Sequence, residues 1–185
     1  MPIRSSKRLA ALTAYAFSAV DEKVAELKAK GVRVIDFGVG DPTIPTPFFI
    51  RKALKKAVDA RAASGYPSYT GSPEFRKAVA EWTRRRHAVA LDPETEVCAS
   101  IGAKEAVFHF PEAILDPGEV VLVPTPGYPP YARGTRFAEG ECFHLPLGRD
   151  NDYLPDLRKI PAAVLKRARI LWINYPNNPT GALAP

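Results

Sequence analysis

The residues best suited to chemistry lie near the end of the sequence, where an apolar run at 170–173 leads into the string NYPNNPTG at 174–181. The side-chain amide of Asn178 both donates and accepts hydrogen bonds, so it could hold a hydroxyl or phenolate oxygen of a ligand. Asn177 is expected mainly to shape the turn that precedes a proline. Because the apolar run predicts a strand, the string would lie at the carboxyl end of a sheet, where open α/β folds bind ligands.

Three other segments could line the same kind of site. At 100–105, SIGAKE predicts a strand end, a glycine turn and a helix start, whose N–H groups would suit a phosphate, although such turns are also common as plain structure. Tyr128 follows another predicted strand, and its ring could stack on a planar heteroaromatic ligand or pack on a neighbouring loop. Tyr66 and Tyr69 precede a capped helix and could be interface anchors or ordinary loop residues.

The periodicity of apolar residues predicts the elements that position these segments. The expected helices cover 18–30, 47–63, 73–86, 103–115, 130–138 and 161–166, and the expected strands cover 32–37, 96–100, 120–123, 142–147 and 170–173. In the second helix, Ile50, Leu54 and Val58 share a face and are expected to point inward. From residue 96 onward strands and helices alternate, which predicts an α/β fold with a largely parallel sheet covered by helices on both faces.

Composition and charge exclude several classes of function. The chain has 185 residues, of which 46% are hydrophobic and 25% charged, as in ordinary globular proteins. No apolar run approaches the roughly 20 residues that cross a bilayer, and early charged residues interrupt any secretory signal, so we expect a cytoplasmic protein without a membrane partner. The net charge of +6 is scattered, without the basic stripe and interleaved aromatics of a nucleic-acid surface.

The two cysteines carry no metal signature. Cys98 and Cys142 lie far apart in strand-like runs and lack the spacing of metal ligands, so no metal site is predicted. Both are expected to be buried free thiols in a reducing compartment.

Taken together, these motifs resemble the N-terminal half of the class I/II aminotransferases, the fold-type I enzymes that use pyridoxal 5′-phosphate (PLP). The likeness is closest to the bacterial LL-diaminopimelate aminotransferases. The stretches that carry it are 34–42, 66–76, 91–97, 102–105, 121–131 and 173–182. The resemblance implies a three-layer αβα architecture, the incomplete major domain of a PLP-dependent transferase. Residues 1–40 would form an N-terminal arm, a helix and an entry strand, and residues 41–185 the first part of the PLP-binding domain.

The resemblance also implies roles for individual residues. Contacts to the cofactor are implied for Ala103, Lys104, Tyr128, Asn178 and Tyr66. Contacts to the substrate are implied for Tyr15, Gly40, Lys104, Tyr128 and Asn178. Ala103 and Lys104 would hold the phosphate, Tyr128 would stack on the pyridine ring and Asn178 would bond its O3′. Tyr66 would reach the phosphate of the other subunit in a homodimer with a shared active site. The family often has Ser where Ala103 stands, so this chain would lack one hydroxyl contact to the phosphate.

The implied reaction moves an amino group between an L-amino acid, LL-2,6-diaminopimelate in the closest group, and a 2-oxo acid. In the family, the lysine that bonds the cofactor, the acidic partner of the pyridine nitrogen and the arginine for the substrate carboxylate all follow the N-P-T-G string. Lys104, in the phosphate cradle, would lie at the wrong end of the cofactor to replace that lysine. The resemblance therefore implies that these residues do not transaminate alone, and their unpaired sheet edge would favour poor solubility or a partner.

Several alternatives remain open on this evidence. The chain could be a split-gene subunit completed by a second polypeptide, or a non-catalytic binding protein. It could come from an aminotransferase of other specificity, for aspartate, alanine or aromatic amino acids. A different PLP reaction, such as β-elimination, would also fit the same half of the fold.

Overall fold

The computed structural model describes residues 4–10, 16–35, 37–38, 40 and 42–185. The chain divides into two compact units, a first unit of Met1–Leu12 with Ser100–Pro185 and a second unit of Thr13–Ala99. The domain boundary expected after residue 40 stays a prediction. Among the described residues, no helix is both long and apolar enough for a membrane crossing.

Helices account for most of the regular structure in both units. In chain order they are α1 (Lys7–Ala10), α2 (Ala16–Ala29), α3 (Phe48–Ala60), α4 (Pro73–His87), α5 (Ala103–Ile114), α6 (Pro130–Phe137) and α7 (Ala162–Leu165). Short 3-10 helices cover Arg149–Asn151 and Leu157–Lys159. The helices predicted from periodicity are therefore present, with ends that shift by a few residues.

The sheet belongs to the first unit and is parallel throughout. Its strands are β1 (Val120–Thr125), β2 (Glu141–Pro146) and β3 (Ala168–Leu171), in the order β2-β1-β3. The central strand β1 is buried from its first residue to its fifth, which explains why its sequence is an apolar run. The strand predicted over 170–173 lies two residues earlier, because its pairing with β1 begins where Val120 faces Ala168.

Side chains of β1 alternate between two apolar clusters, one on each face of the sheet. The first cluster contains Leu115, Val121, Val123, Tyr131 and Ile170, and α5 and α6 contribute residues that pack against it. The second cluster contains Val120, Leu122, Leu145 and Ile160, and Val164 of α7 packs against it. Helices on both faces of a parallel sheet give the three-layer αβα arrangement that the sequence predicts.

In the second unit, α4 is tied to the turn that follows it. The buried guanidinium of Arg76 donates hydrogen bonds to the carbonyl oxygen of Pro93 at 2.5 Å and to the carboxylate of Glu94 at 3.1 Å. Within the turn, the amide N–H of Glu94 and the hydroxyl of Thr95 donate to the Asp92 carboxylate at 2.9 Å and 2.8 Å. These bonds hold the pKa of Asp92 below its usual value, and the bond from the Glu94 amide has the larger effect.

Two predicted strands are wrong. Residues 96–100 contain no strand. Among the described residues, one backbone hydrogen bond joins them to a distant segment, from the Ala99 N–H to the Thr70 carbonyl oxygen at 2.9 Å. The described part of 32–37 is likewise irregular. A strand exists only through its ladder of bonds to a neighbour, and an apolar run predicts the strand's preference without supplying that neighbour.

The inward face predicted for α3 is also wrong. Ile50, Leu54 and Val58 do form one stripe along the helix, as their spacing requires, but all three are exposed. Helical periodicity identifies the residues that share a face, whereas burial depends on another surface that covers the face. Within the described residues, no such surface covers this stripe.

The expectation of two buried thiols holds in part. Cys142 lies in β2, half-buried, with its Sγ 3.6 Å from the carbonyl oxygen of Ala132, and burial raises the pKa of this thiol. Cys98 is exposed, because the segment that carries it does not join a sheet.

Candidate active site

Two loops leave the carboxyl edge of the sheet side by side. β1 and β3 are parallel neighbours, so their carboxyl ends lie at the same edge, and the N–H of Trp172 extends the pairing with a bond to the carbonyl oxygen of Leu122 at 3.1 Å. β1 continues into residues 126–129, the Tyr128 loop, and β3 continues into residues 172–181, the Asn178 loop. This edge is where open parallel sheets bind ligands.

The Tyr128 loop turns back closely over the end of β1. A Cβ on Gly127 would overlap the carbonyl oxygen of Pro124, so only glycine permits this approach. The half-buried ring of Tyr128 meets the ring of Tyr131 edge-on, with centroids 5.7 Å apart, and Tyr131 stacks on Trp172 at 4.8 Å. Contacts with core residues therefore hold the ring of Tyr128 in place, while part of the ring stays accessible to a ligand.

Tyr131 is the buried member of this aromatic group. Burial raises the pKa of its hydroxyl, and the neighbouring Tyr128 raises it further. Tyr131 therefore stays protonated and neutral at physiological pH, and we assign it a packing role.

The Asn178 loop separates its two adjacent asparagines. Asn178 is exposed, and its backbone N–H donates to the side-chain oxygen of Asn174 at 3.1 Å. Asn177 is buried, and its amide nitrogen donates to the hydroxyl of Thr180 at 2.9 Å and to the carbonyl oxygen of Pro126 at 3.4 Å. The second of these bonds joins the Asn178 loop to the Tyr128 loop.

The connectivity and length of α5 indicate that its N-terminus lies at the same edge of the sheet. Residues 115–119 join α5 to the start of β1, and Val107 of α5 packs against the first apolar cluster, so we infer that the helix runs back along that strand. Its 12 residues span about 18 Å, and the 6 residues of β1 span about 20 Å. We therefore infer that the first turn of α5 comes level with the two loops.

This helix start is open to an anion. Gly102 is the N-cap residue, with a φ of 78° that suits glycine, and no side chain among the residues that the structure describes caps the helix there. Ala103 and Lys104 are exposed in the first turn. The carboxylate of Glu105 accepts a hydrogen bond from the N–H of Ile101, outside the helix. Backbone N–H groups, the helix dipole and a lysine thus meet at one place, which suits a phosphate.

Four of the seven predicted site residues lie in the first unit. Ala103, Lys104, Tyr128 and Asn178 belong to the first unit and follow the pattern above. Gly40 and Tyr66 belong to the second unit, where both are exposed, and Tyr15 lies outside the described residues. The roles implied for all seven residues stay predictions.

Asn174 and Asn177 are residues that sequence reasoning missed. Asn177 was expected only to shape a turn, yet it is one of the few buried polar residues in the described part of the chain. Asn174 holds the backbone of Asn178 from four residues away. The available signal was the concentration of three asparagines in five residues of one loop, which exceeds what a single turn needs.

The residues at this edge fit a phosphorylated aromatic ring. The first turn of α5 suits the phosphate, the ring of Tyr128 suits a planar partner and the amide of Asn178 suits a hydroxyl or phenolate oxygen. Two buried polar atoms here, Nε1 of Trp172 and Oδ1 of Asn177, have no hydrogen-bond partner among the described residues. Because such atoms are normally satisfied, the edge has capacity for further polar contacts.

Comparisons with known proteins agree with this chemistry. The family model for aminotransferase class I and II matches residues 32–185. The LL-diaminopimelate aminotransferase of Nitratidesulfovibrio vulgaris strain Miyazaki F is 53% identical over 178 residues, which cover 96% of this chain and 46% of that protein. The enzyme of the same name from Aquifex aeolicus is 52% identical over 177 residues, with the same two coverages of 96% and 46%.

Solved structures give the same result. The apo structure of BacF from Bacillus subtilis matches with a TM-score of 0.91 and 39% identity, over 100% of this chain and 47% of that one. A single mutant of Thermus thermophilus aspartate aminotransferase matches with a TM-score of 0.89 and 33% identity, over 99% of this chain and 48% of that one. The chain spans about half the length of the curated relatives it matches. It belongs to the class I and II aminotransferase family.

Proposed function

We propose that this chain is the N-terminal portion of a PLP-dependent aminotransferase and that it supplies one side of the cofactor site. The observation that carries the proposal is the hydrogen bond that joins the Tyr128 loop to the Asn178 loop at the carboxyl edge of a parallel sheet. The connectivity of α5 returns its N-terminus toward the same edge. Sequence relatives with the family's name and a matching family model support it.

The chain's own residues would divide the binding of PLP between them. The first turn of α5, with Lys104, binds the phosphate through backbone N–H groups and a cation. Tyr128 orients the pyridine ring by stacking, and the amide of Asn178 donates a hydrogen bond to the ring's O3′. When bound, PLP supplies an electron sink for the α-carbon of an amino acid.

The substrates we propose are an L-amino acid, LL-2,6-diaminopimelate first, and a 2-oxo acid. The names of the relatives support this choice, and aspartate and alanine aminotransferases among the structural matches keep other specificities as candidates. Gly40 and Tyr15 would contact the substrate. Tyr66, which is fully exposed in its loop, would reach the phosphate of the partner subunit in a cytoplasmic homodimer.

We further propose that the lysine that bonds PLP comes from outside these 185 residues. Lys104 is exposed in the first turn of α5, at the phosphate end of the proposed site. The completing segment would be either the rest of the same polypeptide or a second chain. The free side of β3 favours such completion, because the described residues pair this strand on one side only and leave Ile173 beyond it 64% exposed.

Titration of the chain with PLP, followed by absorbance and fluorescence, tests the proposed site. We expect Tyr128→Ala and Asn178→Ala each to weaken binding about threefold to tenfold, the size of one ring contact or one hydrogen bond. Tyr69→Ala and Asn151→Ala remove the same residue types elsewhere and serve as matched controls. Equal binding by all four variants would refute the site.

Borohydride treatment of the PLP-loaded chain tests the proposed origin of the lysine. We expect no single lysine of the chain to become labelled in proportion to bound cofactor. Stoichiometric labelling of Lys104, or of any other lysine of these residues, would refute the proposal that a further segment supplies it.

A further inference from the structure

We infer that Asn177 is a positioning residue that fixes the Tyr128 loop and the Asn178 loop at a set separation. The inference rests on the proposed function of this edge as a cofactor site. Asn177 itself is not assigned a contact with the cofactor. It acts through Pro126, two residues before Tyr128, and through its own neighbour, Asn178.

The burial and orientation of Asn177 carry the first step. The residue is 2% exposed, and its amide nitrogen lies 2.9 Å from the Thr180 hydroxyl and 3.4 Å from the Pro126 carbonyl oxygen. A carbonyl oxygen can only accept, so the nitrogen of the amide must face Pro126. The orientation of the side chain is therefore determined by its surroundings.

The backbone of Asn177 carries the second step. Its N–H donates to the carbonyl oxygen of Ala182 at 2.8 Å, and its own carbonyl oxygen accepts from the N–H of Gly181 at 2.7 Å. With the main chain and the side-chain nitrogen both engaged, the residue has little freedom to rotate or shift. A displacement of either loop must then break a bond at Asn177 or move the other loop with it.

The consequence for the site follows from where its contacts originate. Tyr128 extends from β1 and Asn178 from β3, so their relative position depends on the two loops as well as on the sheet. A ligand that contacts both residues is sensitive to that spacing, since displacements of about 1 Å can change rates on the order of a hundredfold. Asn177 removes this variation before any ligand binds.

Two substitutions separate this role from general loop stability. Asn177→Ala removes the link between the loops. Tyr175→Phe removes another hydrogen bond of the Asn178 loop, from the Tyr175 hydroxyl to the carbonyl oxygen of Tyr153 at 2.7 Å, which does not involve the Tyr128 loop. A third variant, Asn177→Asp, directs a carboxylate oxygen at the Pro126 carbonyl oxygen and should weaken the link while keeping the size of the side chain.

The decisive measurement is amide hydrogen exchange of the chain without cofactor. We expect faster exchange at Gly127 and Tyr128 in Asn177→Ala and Asn177→Asp, and unchanged exchange there in Tyr175→Phe. Unchanged exchange of the Tyr128 loop in a folded Asn177→Ala chain would overturn the inference. The unsubstituted chain gives a test that needs no variant: the side-chain amide protons of Asn177 should show nuclear Overhauser contacts to Pro126, and their absence would overturn it.

Binding of pyridoxamine 5′-phosphate, which carries no aldehyde to react with lysines, provides the functional readout. We expect about tenfold weaker binding by Asn177→Ala and less than about twofold by Tyr175→Phe, as for the loss of one productive hydrogen bond. Equal weakening by both would contradict a special role for Asn177. If the unsubstituted chain does not bind this compound, the proposed function fails, whereas the exchange experiment still decides the inference.

Discussion

Replacing Tyr131 by alanine is expected to lower the unfolding free energy of the first unit by about 4 kcal/mol. The ring is buried in the first apolar cluster and makes aromatic contacts with both Tyr128 and Trp172. Removal of a large buried aromatic side chain costs about 3–5 kcal/mol, a range that includes the cavity left behind. Each aromatic pair contributes about 0.5–1.5 kcal/mol beyond its buried area, and the two pairs support a value above the lower limit.

Urea unfolding followed by tryptophan fluorescence measures this loss. The chain has two tryptophans, Trp82 in the second unit and Trp172 in the first, so a Trp82→Phe background isolates the signal of the first unit. Tyr131→Phe is the matched control, because it keeps the ring and both contacts, and it should cost less than about 1 kcal/mol. A loss below about 1 kcal/mol in Tyr131→Ala, or equal losses in both variants, would refute the view that ring packing holds the Tyr128 loop.

Two further predictions concern titratable groups. Cys98 should react with a thiol reagent at neutral pH at least about tenfold faster than Cys142, because Cys142 is half-buried and burial raises its pKa. Peptide mapping by mass spectrometry measures the two rates, and similar rates would contradict the prediction. The turn at Asp92 should lose stability as the pH falls below the ordinary pKa of an aspartate, about 3.9, toward the lowered pKa of Asp92 in the fold. Protonation removes the hydrogen bonds that the carboxylate accepts from the Glu94 amide and a threonine hydroxyl. The protection of the Glu94 amide, relative to its intrinsic exchange rate at each pH, measures the change. Asp92→Asn should remove the pH dependence of this protection.

The sheet and its two loops were predictable because their signals are local. Four consecutive apolar residues from Val120 to Val123 identify a strand buried on both faces, and the glycine turn at Gly102 identifies a helix start. Loops rich in Pro, Gly and Asn must follow strands of such a sheet at one edge. The sequence could thus predict that Tyr128 and Asn178 follow strands of one parallel sheet, and the structure has their loops joined at one edge.

The remaining features depend on partners that are distant in sequence. The burial of Asn177 follows from the approach of Pro126, 51 residues earlier, which no local pattern encodes. The segment 96–100 and the stripe of Ile50 on α3 have the right residues for a strand and for a buried face, but pairing and covering surfaces are tertiary properties. Local sequence therefore predicted the type of the elements better than their burial.

Transaminase activity after completion tests the central claim most directly. The chain would be co-expressed with a separate segment comprising the part of the Nitratidesulfovibrio vulgaris relative that it does not cover, and assayed with LL-2,6-diaminopimelate and a 2-oxo acid in the presence of PLP. We predict activity from the pair, none from either part alone, and loss of activity when the pair carries Asn178→Ala with Tyr128→Ala. Transamination by the chain alone, or an assembled, PLP-loaded pair without activity, would contradict the account.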